Sequence, residues 1–355
     1  MTQAAAVTPG TRRFASVDVL RGLAVAAMLL VNNPGDWGHV FAPLRHADWH
    51  GFTPTDLIFP LFLFLVGVAI SLGLRSGTAM ATIWLRALRL VAAGLLLHLV
   101  AMWAYDLPAF RPWGVLQRIG LCYGVAATLA LHTSARAQWL LLGALLLGYW
   151  ALLAMTGGYE PLHNLASRVD AAMLGRYAYQ FDPATGLGHE PEGLLSTLPA
   201  IATTLIGVRA GAWLRDRGNT RLLLAAMVAL VLGLAWSQLM PLNKQLWTSS
   251  FVIYAAGWSL LLLALCHYVF DLRNAPALGR SMGINAITAY AGSWLLACLL
   301  SGTGLLRPLY QHLFASWVTP AFGPHAASLA YAVAFVALWW WLMWGMQRKG
   351  IRISI

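Results

Sequence analysis

The sequence predicts an all-α, polytopic membrane protein: about ten transmembrane helices in one bundle, with both termini cytoplasmic. Three observations carry this. Of the 355 residues, 59% are hydrophobic and 10% charged, where an ordinary soluble domain has roughly 25% charged. Apolar runs such as GLAVAAMLLV, PLFLFLVGVAI and ALLLGYWALLAM recur along the chain, and crossing a ~30 Å hydrocarbon core takes ~20 mostly apolar residues. Proline, glycine and charge separate the runs, and the 17 Trp and 11 Tyr suit interfacial belts.

The expected spans run over about 17–33, 55–74, 83–103, 113–132, 138–156, 194–213, 221–239, 248–269, 283–301 and 325–346. With the N-terminus inside, the inner segments carry 15 Lys and Arg residues against 7 in the outer ones. The inner charges include Arg12, Arg13, Arg86, Arg217, Arg280 and Arg348, and the excess orients the bundle. Residues 1–11 are polar and no A-x-A site follows the first apolar run, so no cleavable signal is expected. The chain reads as a single domain over 1–355, with a cytoplasmic tail at 1–15 and a large outer loop at 157–193. That loop is too long for a plain turn and reads as a cap or binding loop. Cys122, Cys266 and Cys298 fall inside apolar runs and read as small core residues, with neither a disulfide frame nor a metal site expected. The net charge of +11 forms no basic stripe. It reads as a topology signal rather than a nucleic-acid surface, with room for an anionic ligand.

Between the first two spans stands LRHADWHGFTPTDLIFP, residues 44–60, dense in titratable groups. Thr53-Pro54-Thr55-Asp56 reads as a helix start, with Thr53 as N-cap, Pro54 at the first helical position and Asp56 bonding back. Asp56 either only caps the helix or also faces an internal cavity and orients a histidine. His46 and His50 lie four apart, but no zinc-site spacing follows. Ser16-Val17-Asp18-Val19-Leu20-Arg21 opens the first span. Ser16 reads as its N-cap, with Asp18 able to pair with Arg21. This start is either a capped helix with a snorkelling arginine or a phosphate site. Asn32 and Asn33 end the same span, Gln117 and Arg118 sit early in the fourth, and Asn285 lies in the ninth. Together they predict a polar seam inside the bundle.

Several blocks across most of the chain carry a likeness. They are SVDVLRGLAVAAMLLVNNPG (16–35), HADWHGFTPTDLIFPLFLFLVGVAI (46–70), RPWGVLQRIGLCYG (111–124), HEPEGLLSTLPAIATTLIGVRAG (189–211), PLNKQLWTSSFVIYAAG (241–257) and GINAITAY (283–290). In this order they resemble the heparan-α-glucosaminide N-acetyltransferase family of transmembrane acetyltransferases, in particular its bacterial NagX-like branch. No block here resembles the extra luminal domain or the additional first helix of eukaryotic members.

The resemblance implies acetyl transfer from cytoplasmic acetyl-CoA to an amino sugar or glycan on the outer side of a bacterial inner membrane. Relatives suggest a homodimer, though no interface signal is visible. It places the family's active-site histidine at His46, in the loop after the first helix, and its acidic position at Asp56. His50 stands where eukaryotic members typically have asparagine and is not counted as catalytic. Candidate donor-binding residues are Ser16, Asp18, Arg21, Gln117 and Arg118. Candidate acceptor or oxyanion residues are Asn32, Asn33, Asp48, Glu192, Asn243, Lys244, Trp247 and Asn285. His46 acts as general base or as acetyl carrier, with Asp56 or Asp48 orienting the ring. Two other readings stay open: O-acylation of an envelope sugar hydroxyl, and a transporter with no chemistry, for which inverted repeats would be the signature.

Overall fold

The computed structural model describes residues 13–216 and 218–353. Most of the expected N-terminal tail, with Arg12, and Arg217 of the inner charges lie outside the described residues. The helices are α1 Ala15–Asn32, α2 Ile58–Gly73, α3 Met80–Ala104, α4 Val115–His132, α5 Ala135–Met155, α6 Leu165–Leu174, α7 Thr197–Arg215, α8 Asn219–Trp236, α9 Ser249–Cys266, α10 Arg280–Ile284, α11 Ala286–Gly302, α12 Leu306–Tyr310 and α13 Ser316–Arg348. Among the described residues, nine helical stretches are long and apolar enough to cross a bilayer, and α11 adds a shorter apolar helix of 17 residues. The protein is an all-α, multi-pass integral membrane protein. Its strands, among the described residues, are a small antiparallel hairpin, β1 Gln180–Asp182 with β2 Leu187–His189.

The face where α1 begins is called proximal here, and the opposite face distal. Alternation puts the loops after α1, α3, α5 and α8 at the distal face. The segment expected to be one span over 283–301 is two helices, α10 and α11, broken at Asn285. In α13, Gly323 (φ +81°) breaks the helix between Pro320 and Pro324. The part beyond it crosses back to the proximal face. It starts distally, where Ser328 bonds the backbone of Gly35 and Asp36, and ends with Met343 packed beside Met282.

One expected detail of α1 is wrong. Ser16 does not cap it: the helix starts at Ala15, and the N-cap residue, Phe14, makes no side-chain cap bond. The free N–H groups of Ala15 and Ser16 donate instead to the Asp271 carboxylate, at 2.8 and 3.3 Å, from the extension that continues α9. The first N–H groups of any helix need an acceptor, and a distant acid supplies it. The anion-binding capacity of this helix end is therefore used within the protein.

The interior is built on α7 and α9, while α3, α5 and α8 turn most of their surface outward to lipid. The tightest crossing is α2 on α7. A Cβ on Gly67 would run into the backbone of Thr204 and Val208, and one on Gly207 into the carbonyl of Phe64. Lipid offers little hydrophobic drive for helix pairing, so small residues that let backbones approach set such contacts. The crossing is surrounded by Phe64, Val68, Leu205 and Phe251, all buried. It fixes the start of α2, and so the loop in front of it, over the bundle.

Gly67→Val is expected to destabilise the protein by at least ~1–3 kcal/mol, the usual cost of overpacking, read as a lowered unfolding midpoint in detergent. An unchanged midpoint would show that the bundle does not depend on this approach.

Candidate functional site

The loop ahead of α2 begins the site. Thr53 is the N-cap of the turn Pro54–Leu57 that leads into α2, with Pro54 at its first position and the capping box formed. This is the local structure the sequence predicts. Asp56 does more than cap. Its carboxylate is buried, and it accepts the backbone N–H of Thr53 (3.0 Å) and of Ala47 (3.2 Å) and the Thr53 hydroxyl (3.0 Å). Its other oxygen meets His46 Nδ1 at 2.6 Å. The His46 side chain is 42% exposed, so the ring is held from behind and open in front. Asp48, the alternative partner, is exposed and takes no part in holding the ring.

Beside this pair lies a network that the sequence showed only in part. Arg111 bridges Glu190, bonded by both Nε (2.9 Å) and Nη2, and Glu192, bonded at 2.6 Å. Burial opposes the Arg111 charge, but the two carboxylates prevail and hold its pKa above the ordinary value. Burial likewise works against the Glu192 carboxylate, yet Arg111, Lys244 and Arg118 together bring its pKa down to about 2. Arg118 is fully buried. It donates to Gly193 O (3.0 Å) and Ser196 Oγ (2.5 Å) and lies 5.1 Å over the Trp247 ring. Its Nε and Nη1 have no partner among the described residues. Lys244 is half-buried. Desolvation lowers its pKa, opposed by Glu192 and Asp56, both within electrostatic reach. Lys244 thus stands within electrostatic reach of both the acidic network and the His46–Asp56 pair. Three cations (Arg111, Arg118, Lys244) stand among four buried acids (Glu190, Glu192, Asp56 and Asp170), so that buried charge is placed beside its opposite.

The turn carrying Lys244 is rigid. Asn243 Oδ1 accepts Leu246 N (2.8 Å), Thr248 Oγ1 donates to Pro241 O (2.8 Å), and Trp247 sits at φ +54° with its indole on Thr203 Oγ1 (3.1 Å). Asn243 Nδ2 also donates to His50 Nδ1 (3.2 Å), tying this turn to the His46 loop. Behind both, Trp49 donates to Tyr159 O (2.8 Å) and packs on His189. Burial lowers the His189 pKa to about 4, which keeps the ring neutral. Ser167 Oγ bonds its Nδ1 at 3.0 Å. The 157–193 loop is therefore a folded cap, with α6 and the hairpin holding the 190–196 segment in place.

A cavity of about 310 Å³ opens between α1, α2, α3, α4, α10 and α11. At its proximal end stand Arg21 and Arg86, and at its distal end Met28, Phe62, Val115 and Leu116. From Phe62 to Ile70 of α2 it follows ~12 Å of helix axis. Its wall is largely apolar, not the polar seam the sequence suggested. Tyr290 lines it and lies within electrostatic reach of Glu192 and Arg111. The network is thus within electrostatic reach of the cavity wall, and Asp56 precedes Phe62, at the cavity's distal end, by six residues.

The family model described as heparan-alpha-glucosaminide N-acetyltransferase, catalytic, matches residues 13–240. The chain belongs to this family. The human heparan-alpha-glucosaminide N-acetyltransferase is 27% identical over 413 residues, covering 96% of this chain and 59% of the human protein. The mouse protein of the same name is 27% identical over 367 residues, covering 81% and 55%. The chain spans a little over half the length of these curated relatives. In this family member the matched region holds His46, Asp56, Arg111, Arg118, Glu190 and Glu192, and it ends before Lys244 and Asn285.

The structure redistributes the remaining candidates. Asp18 is buried and binds Arg13 (2.7 Å), with Arg21 and Arg280 each 3.6 Å away. Ser16 and Asp18 are not in the cavity wall, but Arg21 is. Gln117 and Arg118, expected to bind the donor with Arg21, lie at the other end, because α4 starts distally; Gln117 donates to Pro112 O (3.3 Å). Asn33 bonds back to Leu29 O (2.8 Å), and Asn32 is exposed. Asn285 cannot serve a distal oxyanion. It sits at the proximal break between α10 and α11, close to where Gly283 packs on Asp18 and Gly22. Arg111 and Tyr290 are not among the expected site residues, and Arg86 is expected only as one of the inner charges. An arginine six residues inside α3 was the available signal for Arg86.

Burial raises the Asp170 pKa to about 7, while the carboxyl accepts Leu194 N (2.9 Å) and so holds the cap segment. A carboxyl raised in the folded state binds its proton more tightly there, so its contribution is full below about pH 4 and is lost as pH rises to about 7. Asp170→Asn is expected to flatten the thermal-midpoint profile between pH 4 and 7. A profile identical to the wild type would remove Asp170 from the cap's pH dependence.

Proposed function

We propose that the protein is an acetyl-CoA-dependent transmembrane acetyltransferase that delivers the acetyl group to the amine of a glucosamine-type acceptor at the distal face. The observation that carries this reading is the His46–Asp56 pair, opposed across the bundle by an arginine-mouthed cavity in a chain of this family. The charge excess supports a cytoplasmic proximal face, consistent with a bacterial inner membrane. Acetyl-CoA is then drawn from the cytoplasm, its phosphates at Arg21 and Arg86 and its arm in the apolar cavity. Arg86 has an aromatic neighbour, Tyr123 (4.9 Å), but no carboxylate partner among the described residues, which leaves its charge for a ligand.

The chemistry follows from the ring's fixed orientation. Nδ1–H donates to Asp56, so Nε2 keeps its lone pair facing the open side. In direct transfer the acceptor nitrogen attacks the thioester carbon and the C–S bond breaks. The nitrogen's proton passes to His46 Nε2 and on to the departing sulfur. In the carrier route Nε2 itself takes the acetyl group and the C–S bond breaks, so that CoA leaves as the thiolate beside a cationic acyl-imidazole. The amine then displaces the imidazole, and the proton it gives up converts the thiolate to the thiol. Either route uses the Asp56 carboxylate to stabilise positive charge on the ring. Lys244, Asn243 and Trp247 border the distal side, where the acceptor would be held.

His46→Ala is expected to reduce acetyl transfer from labelled acetyl-CoA to glucosamine by on the order of 10²-fold or more, with membrane insertion intact. Full transfer by this variant would remove His46 from the mechanism. For the donor site, Arg86→Ala and Arg21→Ala are each expected to weaken CoA binding about tenfold, the loss of ~1.4 kcal/mol, with little change in acceptor KM. An unchanged CoA Kd in both variants would contradict the phosphate assignment.

A further inference from the structure

Asn285 is fully buried, and its side-chain amide is spent on one partner, the backbone that follows α13. Nδ2 donates to the Ile351 carbonyl (3.2 Å), and Oδ1 accepts the Ile353 N–H (3.2 Å). Gly350, at φ +70°, turns the chain out of α13, and Ile353 comes to rest in the wall of the cavity with Arg21, Gly283 and Ile284. Ile351 and Ile353 are 44% and 52% exposed, so little burial holds this strap. Ile351 N–H donates to Met346 O (3.0 Å) at the end of α13, and the two bonds to Asn285 tie the strap to the bundle. A carboxamide that offers one donor and one acceptor to a peptide backbone is complementary to any secondary amide.

We propose that Asn285 is the recognition group for a secondary amide of the donor's pantetheine arm, and that residues 351–353 fill this subsite until the donor displaces them. The inference rests on reading acetyl-CoA as the donor. Its location fits. Asn285 lies behind the wall, covered by the strap, but its neighbours Ile284 and Ala286 and the strap residue Ile353 line the cavity together with Arg21 and Arg86. A strap that leaves would therefore open Asn285 to the arm. Its energetics fit as well. One neutral amide replaces another at Asn285, a near-even exchange, and the phosphate contacts supply the net gain. A strap that must leave first weakens the apparent donor affinity by the fraction of molecules in which the mouth is closed.

The test uses the full chain in lipid nanodiscs, the chain ended after Gly350, and Ile353→Pro, which keeps the chain length and removes the N–H that Asn285 accepts. Both altered chains are expected to bind CoA several-fold more tightly than the wild type. Adding Asn285→Ala to the shortened chain is expected to weaken CoA binding about tenfold. In the wild type, CoA is expected to raise hydrogen exchange at the Ile353 amide. N-acetylglucosamine, a secondary amide from the acceptor side, is expected to leave that amide protected. Equal CoA affinity in all three chains, with the wild-type Ile353 amide equally protected with and without CoA, would overturn this inference alone. Displacement by N-acetylglucosamine and not by CoA would overturn it too. If no chain bound CoA, the donor reading would fall, and this inference with it.

Discussion

A buried carboxylate at the edge of hydrocarbon is the constraint around which this molecule is organised. Asp56 has no water to solvate it and would be costly alone. It is satisfied by two backbone N–H groups, a hydroxyl and an imidazole, all drawn from the ten residues before it. That one group therefore starts α2, folds the loop in front of it, and fixes the orientation of His46. The helix start and the reactive ring are consequences of the same set of bonds. The α2–α7 crossing then sets where in the bundle this assembly stands.

The rest of the distal face obeys the same rule at larger scale. Charges that could not be buried singly are buried as a network, with Arg111 shared between two acids and Lys244 placed between Glu192 and Asp56. Such networks are rigid when satisfied, which suits a site that must hold an acceptor against a fixed histidine. Arg118 is the exception, with two nitrogens that find no partner among the described residues, and its position over Trp247 provides a partial substitute.

The proximal face solves a different problem. Its arginines stand at the mouth of an apolar cavity, and the α1 start, which might have joined them, is closed by Asp271. The two faces are chemically distinct, and a mostly apolar cavity follows ~12 Å of helix axis between them. That division matches the proposed traffic, with a polyanionic donor held on one side and a polar acceptor on the other.

What the sequence by itself determined follows from short-range physics. Hydropathy and proline or glycine breaks located the helices, because each must bury or expose its own backbone in hydrocarbon. The Thr53–Asp56 capping pattern was legible because all its partners lie within four residues. The pairing of His46 with Asp56 could be expected from a ten-residue loop and family resemblance. Tertiary structure alone decided the rest. Asp271 caps a helix some 250 residues away, and no local pattern encodes that. Loop alternation puts Arg118 at the outer end, where it is found, but its partners there, Gly193 and Ser196, come from a distant segment. Asn285, an expected oxyanion donor, stands at the proximal break instead. A polar residue inside an apolar run shows that it must find a partner, and only the packing of the helices chooses which one.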